Sequence, residues 1–184
     1  MRFSSDVGTL EKRPHNTAGE LINSASTDVL ARIFREYGEE KLAHEIAEAI
    51  VVQRTKEPIT IVKQLVEIIL VVYRKKTHTT KEVPWIGGLH PATRVFQALR
   101  IAVNKELEVL EEVLPKALSL LCPGGRLGVI SFHSLEDRLV KHFFKSQIGK
   151  GYRVLTKKPI VPSAEEREVN TRARSAKLRV IEKI

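Results

Sequence analysis

The sequence predicts an α/β fold that also carries a helical domain. Residues 90–144 have the pattern of an amphipathic helix, a Pro-Gly-Gly turn, an apolar strand, a polar loop and a second helix. In open α/β sheets, ligands bind at the carboxyl ends of the strands, which is where this polar loop lies. Residues 17–73 show three or four short helical stretches, a pattern typical of a compact bundle.

The helices of the bundle are indicated by apolar residues at three- and four-residue spacing with capping residues between them. Thr17 with Glu20 predicts the first cap, and Ser26 or Thr27 the second. One predicted helix ends at Gly38 and has an apolar face of Leu30, Ile33, Phe34 and Tyr37. Two more helices are predicted, from Lys41 to Arg54 and from Ile61 to Tyr73, the second of them capped by Thr60.

A single long helix is predicted after His90, with Pro91 as its first helical residue. One apolar stripe runs along it for about six turns and consists of Val95, Leu99, Val103, Leu107, Leu110 and Leu114. Pro115 is expected to break or kink this helix because proline has no N–H to donate. A short helix is expected to resume at Lys116 and to end before Pro123-Gly124-Gly125.

The strand that follows, residues 126–132, is apolar nearly throughout, as expected for a sheet covered on both faces. In the next loop, Ser134 is the predicted N-cap, and capping or dipole compensation is the favoured role for Ser134, Glu136 and Asp137. His133 and Arg138 are open to either a structural or a ligand-binding role. A Ser/His/Asp hydrolase triad is disfavoured because these residues are crowded into one turn.

The end of the chain predicts two more strands around a short helix. A strand is expected at residues 152–156, a helix at 164–169 capped by Ser163 with Glu166, a basic loop at 170–175 and a last strand at 176–184. In that last strand, Leu178 and Val180 are expected on the face opposite Arg179 and Ile181.

Charge is distributed unevenly along the chain. The net charge of +9 arises entirely from residues 138–184, which contain 13 Lys and Arg against 4 Asp and Glu. A basic excess at one end suits binding to phosphate backbones.

The single Cys122 excludes a disulfide framework, and no apolar run of membrane length is present, so a cytoplasmic protein without membrane contact is expected.

Several separated motifs resemble one known family. HPATRVFQALRIAVNKELE, PGGRLGVISFHSLEDRLVKHFF, TKKP and NTRARSAKLRVIE are similar to the small-subunit ribosomal RNA cytosine-N4 methyltransferases, called RsmH or MraW. The resemblance implies a class I S-adenosylmethionine methyltransferase (Rossmann-like) fold with an inserted α-helical domain. It also implies methylation of N4 of a decoding-region (P-site) cytidine in 16S rRNA. This reaction depends on positioning the amine and accepting its proton, without a metal.

The resemblance also suggests where RNA binds. The loop of Ser131, Phe132, His133 and Ser134 is the candidate wall of a cytosine pocket, with Ser131, His133 and Ser134 as its candidate catalytic residues. The candidate RNA-binding residues are Arg94, Gln97, Arg100, Asn104, Arg138, Arg172, Arg174 and Lys177. The expected partner is 16S rRNA or the small ribosomal subunit. A homodimer or a complementing amino-terminal half is a further partner left open.

The cofactor-binding part of such an enzyme is not found in this sequence. Residues 1–29 contain neither a glycine-rich turn after a strand nor an acidic residue placed for a ribose, and Gly124-Gly125 precedes a strand instead of following one. Met1-Arg2-Phe3 resembles a triplet that follows the cofactor-binding half in the family. We therefore expect residues 1–16 to be a linker from that half, 17–86 the inserted helical domain, and 87–184 the carboxyl-terminal half of the methyltransferase domain.

Three functions are compatible with this sequence. The favoured one is a partial methyltransferase chain that is inactive alone and uses S-adenosylmethionine only when completed. The alternatives are a non-catalytic rRNA-binding module and a structural or regulatory subunit that completes its sheet with a separate chain.

Overall fold

A computed structural model describes residues 17–78 and 90–184. The predicted linker at 1–16 lies outside the described residues. The chain divides into two compact units, the first ending at Lys105 and the second running from Glu106 to Ile184. Among the described residues, no helix has both the length and the apolar character that crossing a membrane requires.

The described part of the first unit is entirely helical. Its elements are α1 (Ala18–Ser24), α2 (Thr27–Gly38), α3 (Ala43–Lys56), α4 (Val62–Thr77) and α5 (Thr93–Asn104). Leu30, Phe34, Ile46, Leu65 and Leu99 are among the fully buried side chains of its core. The bundle predicted from helical spacing is therefore confirmed, because the apolar faces of these helices converge on one core.

Two of the three predicted caps in this unit are confirmed. The Thr17 hydroxyl accepts the N–H of Glu20 at 3.1 Å while the Glu20 carboxylate accepts the N–H of Thr17. Ser26 accepts the N–H of Val29 at 3.3 Å. The predicted cap Thr60 is wrong, because Gln64 reaches back with its side-chain oxygen and accepts the N–H groups of Thr60 and Ile61 instead.

Helix α5 packs against α2 at very short range. A Cβ atom added to Gly38 would lie only 2.7 Å from the backbone oxygen of Arg94 and 3.3 Å from the Cβ of Ala98. The buried residues Val95, Ala98 and Leu99 make α5 part of the helical core. This packing accounts for the structural division after Lys105, whereas the boundary predicted from the sequence lies between residues 86 and 87.

A buried polar pair lies inside the helical unit. Glu40 is 2% exposed, and its Oε1 accepts hydrogen bonds from the Tyr73 hydroxyl at 2.7 Å and from the N–H of Leu42 at 2.9 Å. Burial, followed by the hydrogen bond to Glu40, raises the pKa of Tyr73 well above its usual range. The phenol therefore stays protonated as the donor that Glu40 needs.

The second unit combines helices with a small antiparallel sheet. Its elements are α6 (Glu106–Ser119), β1 (Arg126–Ser131), α7 (Ser134–Ser146), β2 (Tyr152–Val154), α8 (Ala164–Val169), a 3₁₀ helix (Thr171–Ser175) and β3 (Lys177–Lys183). The strand order is β1-β3-β2, with β3 antiparallel to both neighbours. The predicted strands are thus confirmed, although the predicted basic loop at 170–175 is a 3₁₀ helix.

The long helix predicted after His90 is two helices. Lys105 adopts a left-handed conformation with φ of 51°, which ends α5, and α6 begins at the next residue. The apolar stripe serves two cores, since Leu99 packs in the first unit and Leu114 in the second. The helix also begins at Thr93, two residues after the predicted Pro91.

Of the break or kink predicted at Pro115, the break is wrong, and the kink stays a prediction. Pro115 lies inside α6, which continues to Ser119. Leu114 and Leu118 are buried against α7 and the sheet on either side of the proline. Their burial compensates for the hydrogen bond that proline cannot make.

The sheet buries one face more than the other. Along β1, Leu127 and Val129 pack towards the core of α6 and α7, whereas Ile130 is 58% exposed. The expectation of a strand covered on both faces is therefore wrong for the described residues. The predicted alternation of β3 is confirmed by its register, which pairs Ile181 with Leu127 and Leu178 with Ile130.

Candidate functional site

The loop between β1 and α7 is held by a reciprocal pair of hydrogen bonds. The Nδ1 atom of His133 accepts the N–H of Glu136 at 3.3 Å, and Glu136 Oε2 accepts the N–H groups of His133 at 3.3 Å and Phe132 at 2.8 Å. His133 is therefore the N-cap of α7. The prediction that Ser134 is the cap is wrong, because Ser134 is the first helical residue.

This cap determines which imidazole nitrogen carries the proton. Since Nδ1 accepts the N–H of Glu136, the neutral ring holds its proton on Nε2. Nε2 lies 3.4 Å from Oε1 of Glu136, in a side chain that is 9% exposed. His133 thus positions the loop from within, since both of its ring nitrogens contact Glu136.

Glu106 lies close to this pair. The ligand atoms of Glu106, His133 and Glu136 all fall within 4.8 Å of one another, a spacing that could hold a metal ion. A metal bound at Nε2 would leave the proton of the neutral ring on Nδ1. Nδ1 could then no longer accept the N–H of Glu136. The hydrogen-bonded arrangement therefore favours a network of side chains over a metal centre.

Asp137, the next residue of α7, connects the loop to the sheet. It is buried, and its two carboxylate oxygens accept from Arg179 at 2.7 and 3.1 Å. Lys177 adds a contact at 3.6 Å. The hydrogen bond from Arg179 is the main cause that lowers the pKa of Asp137, against the opposing effect of burial. The predicted helix-dipole role of Asp137 is therefore secondary to a buried ion pair.

Phe132 is the large apolar side chain of the loop, and it is exposed. It is 53% exposed, whereas Ser131 beside it is 3% exposed and donates a long hydrogen bond of 3.4 Å to the backbone oxygen of Lys177. Phe132 belongs to the loop predicted as the pocket wall, but the candidate catalytic residues of that loop were Ser131, His133 and Ser134. The alternation of β1, which exposes Ile130, was the signal that also directs Phe132 to the open face.

Two of the four RNA-binding candidates on α5 stabilise the end of α2. Arg94 donates to the backbone oxygen of Glu39 at 3.2 Å, and Gln97 donates to that of Tyr37 at 3.1 Å. Gln97 and Arg100 also line a cleft of about 480 Å³ with His90. Arg100 and the fourth candidate, Asn104, are exposed.

The four candidates of the second unit differ in their surroundings. Arg138 is exposed on the first turns of α7, and Arg172 and Arg174 are exposed on the 3₁₀ helix. Lys177 is half-buried and contacts Asp137. The structure therefore brings Lys177 next to the loop of Ser131 and His133 through Asp137.

Comparison with known families shows what this chain is related to. The family model described as "MraW methylase family" matches residues 8–184. The chain belongs to this family. The resemblance inferred from the separated motifs is therefore confirmed, and with it the association with methyltransferases.

Two of the individual relatives share one name. The protein named "Ribosomal RNA small subunit methyltransferase H" from Coprothermobacter proteolyticus is 48% identical over 185 residues, which cover 100% of this chain and 56% of the relative. Its namesake from Picosynechococcus sp. is 50% identical over 90% of this chain and 53% of its own length. The chain thus spans about half the length of the MraW relatives that it matches.

Proposed function

We propose that this chain is the RNA-recognising part of an S-adenosylmethionine-dependent methyltransferase that acts on N4 of a decoding-region cytidine in 16S rRNA. The observation that carries the proposal is the family match over residues 8–184, together with 48% identity to a small-subunit rRNA methyltransferase across the whole chain. This relationship supports the class, the cofactor and the rRNA substrate of the proposal.

The topology of the second unit supports a methyltransferase domain of class I. Such domains end with strands that run antiparallel at one edge of an otherwise parallel sheet. Here β3 lies antiparallel between β1 and β2, which makes β1 and β2 parallel to each other. The helices of the first unit then correspond to the inserted domain.

The β1–α7 loop forms one wall of the cytosine pocket in this proposal. A target base must leave its stack before an enzyme can reach its exocyclic amine. Phe132 offers an exposed aromatic face to that base, and stacking on such a face tolerates a splayed nucleotide. Ser134, the first residue of α7, is also exposed in this loop. His133 and Ser131 are positioning residues that hold the backbone of the loop.

The cations that we assign to phosphates lie on α7 and around the start of β3. Arg138 follows directly on α7, while Arg172, Arg174 and Lys177 precede or open β3. The polar residues of α5, namely Arg94, Gln97, Arg100 and Asn104, form a second group in the helical unit. Contacts of this kind fix the register of the RNA and leave sequence discrimination to the base pocket.

The described residues do not fit the cofactor. S-adenosylmethionine needs a close backbone approach at a glycine-rich turn between a strand and a helix. Neither strand-to-helix connection described here, residues 132–133 or 155–163, contains a glycine. We therefore propose that the chain is inactive alone and that activity requires a complementing cofactor-binding half.

Two binding measurements test this proposal. Isothermal titration should give no measurable binding of S-adenosylmethionine to this chain, and binding in the micromolar range would contradict the proposed absence of the cofactor site. Filter binding of 16S rRNA should be tight at low salt and should weaken as salt rises, because lysines and arginines replace condensed counterions. Absence of rRNA binding would contradict the proposed recognition role.

A further inference from the structure

A cleft lies between the end of α7 and β2, at the edge of the sheet opposite β1. Its volume is about 550 Å³. The turn from Gln147 to Gly151 shapes it, with Gly149 and Gly151 at φ of 81° and 87°. These conformations suit glycine and let the chain reverse tightly from α7 into β2. The cleft is separate from the β1–α7 loop.

The floor of the cleft is apolar. Phe144, Tyr152 and Val154 line it, together with Ile148, which is 59% exposed. The Tyr152 hydroxyl is directed to the backbone oxygen of Leu118 at 3.4 Å, so the ring, and not the hydroxyl, faces the cleft. An aromatic ring beside exposed aliphatic groups provides a surface on which a planar base can lie.

The rim of the cleft is cationic. Lys141, Lys145 and Lys157 line it and are exposed, and none of them makes an ion pair with a described residue. Two further cations at the cleft are already neutralised, because Arg179 binds Asp137 and Arg153 binds Glu182. No aspartate or glutamate side chain is among the described residues that line the cleft.

The apolar floor and cationic rim of this cleft differ from the lining of the groove between α3 and α4. The groove between α3 and α4 carries Glu45, Glu48 and Glu67 beside its lysines, so its charges balance. The cleft at β2 lies instead in residues 138–184, which supply the entire positive excess of the chain. An apolar floor with an unbalanced cationic rim fits an anionic polymer that also carries planar apolar groups.

We infer that this cleft binds a single-stranded segment of RNA, with phosphates on Lys141, Lys145 and Lys157 and a base against Ile148 and Tyr152. The inference rests on the proposed rRNA substrate and adds a second contact site beyond the cytosine pocket. Lys141 and Lys145 are one helical turn apart, about 6 Å along α7, which suits successive phosphates of an extended strand. Stacking and phosphate contacts together characterise single-strand binding sites.

The test compares two triple variants that lose the same charge. One replaces Lys141, Lys145 and Lys157 by Gln, and the control replaces the exposed Lys41, Lys56 and Lys63 of the helical unit by Gln. Affinity for a mixed-sequence single-stranded RNA 12-mer and for 16S rRNA is measured from 0.1 M to 1 M salt. For the 12-mer, the cleft variant should lower the slope of log affinity against log salt by about 2, which is about a hundredfold at 0.1 M salt. The control variant should keep the slope.

A separate single substitution tests the apolar floor of the cleft. Ile148→Glu adds a negative charge at an exposed position, so the fold should be retained. The unsubstituted chain should prefer the single-stranded 12-mer over a duplex of the same sequence, and Ile148→Glu should remove this preference. Equal effects of the two triple variants, or a preference for anionic phospholipid vesicles over RNA, would overturn the inference. If even the unsubstituted chain fails to bind 16S rRNA, the proposed function itself fails.

Discussion

At the scale of single residues, the loop after β1 shows why the chemically obvious side chains are not the exposed ones. His133 caps α7, Asp137 binds Arg179, and Ser131 is buried, so these residues hold the loop from inside. Phe132 and Ser134 remain as the exposed residues of the loop. The sequence could predict that a polar loop follows the strand, but it could not show which side chains turn inward, because that depends on the partners supplied by β3.

Removing the buried carboxylate should destabilise the protein in a pH-dependent way. Asp137→Asn should lower the free energy of unfolding by about 3 kcal/mol at pH 7, because it leaves the Arg179 charge buried without a partner. The folded-state pKa of Asp137 is lowered, so its stabilisation is present above its unfolded-state pKa of about 3.9 and is lost as the pH falls through the folded-state pKa. Urea unfolding of both proteins should therefore converge in acid.

Asp28→Asn is the matched control for this experiment. Asp28 lies exposed in the first turn of α2, where its charge contributes only a few tenths of a kcal/mol. If Asp137→Asn costs no more than this control at pH 7, or costs the same amount at pH 7 and in acid, the ion pair does not hold the loop as described.

The exposed aromatic residue gives a prediction about activity. In a protein in which this chain replaces the matching part of the Coprothermobacter relative, Phe132→Ala should lower kcat/KM for methylation of small subunits by about 10- to 100-fold, since stacking contributes about 1–3 kcal/mol. Ile130→Ala is the control, because Ile130 is similarly exposed on the same face of β1. Equal rates for the two variants would show that Phe132 does not contact the base.

At the scale of elements, helices defined by strong periodicity are predictable and their ends are less so. The helices α2, α3 and α4 follow from apolar spacing, and the strands from alternation. The break at Lys105 was not visible, because Lys carries no turn signal and the apolar stripe continues past it. At Pro115 the local signal was present but misleading. The burial of Leu114 and Leu118 outweighs the tendency of proline to end a helix, so α6 continues through it.

The close approach of α2 and α5 provides a test of the helical packing. Gly38→Ala should lower the stability of the protein by about 1–3 kcal/mol, because the new methyl group meets the backbone oxygen of Arg94 at 2.7 Å. This cost should exceed the gain of up to about 1 kcal/mol that alanine brings to a helix. Chemical denaturation measures the difference.

Gly128→Ala serves as the control for this substitution. The nearest atom to a Cβ at Gly128 is Cδ1 of Leu178 at 3.4 Å, which is ordinary contact. A Gly38→Ala protein as stable as the Gly128→Ala protein would mean that the two helices lie farther apart than the structure places them.

At the scale of the whole molecule, the family relationship was readable from separated motifs, and the family match confirms it. The division into units was not readable, because α5 looks like the start of the α/β segment and yet packs on the helical core. The proposed function needs a cofactor turn, and the two strand-to-helix connections of the described residues contain no glycine for such a turn. The basic carboxyl-terminal segment and the Phe132 loop together make this chain the proposed RNA side of the enzyme.

Methyl transfer by the chimaera described above tests this account most directly. Small ribosomal subunits would be incubated with radiolabelled S-adenosylmethionine and the chimaera, with the unmodified Coprothermobacter protein as the reference. The account predicts label on N4 of cytidine in 16S rRNA at a rate within about tenfold of the reference, the range over which small geometric differences act. A folded chimaera that binds S-adenosylmethionine as tightly as the reference and yet leaves 16S rRNA unlabelled would contradict it.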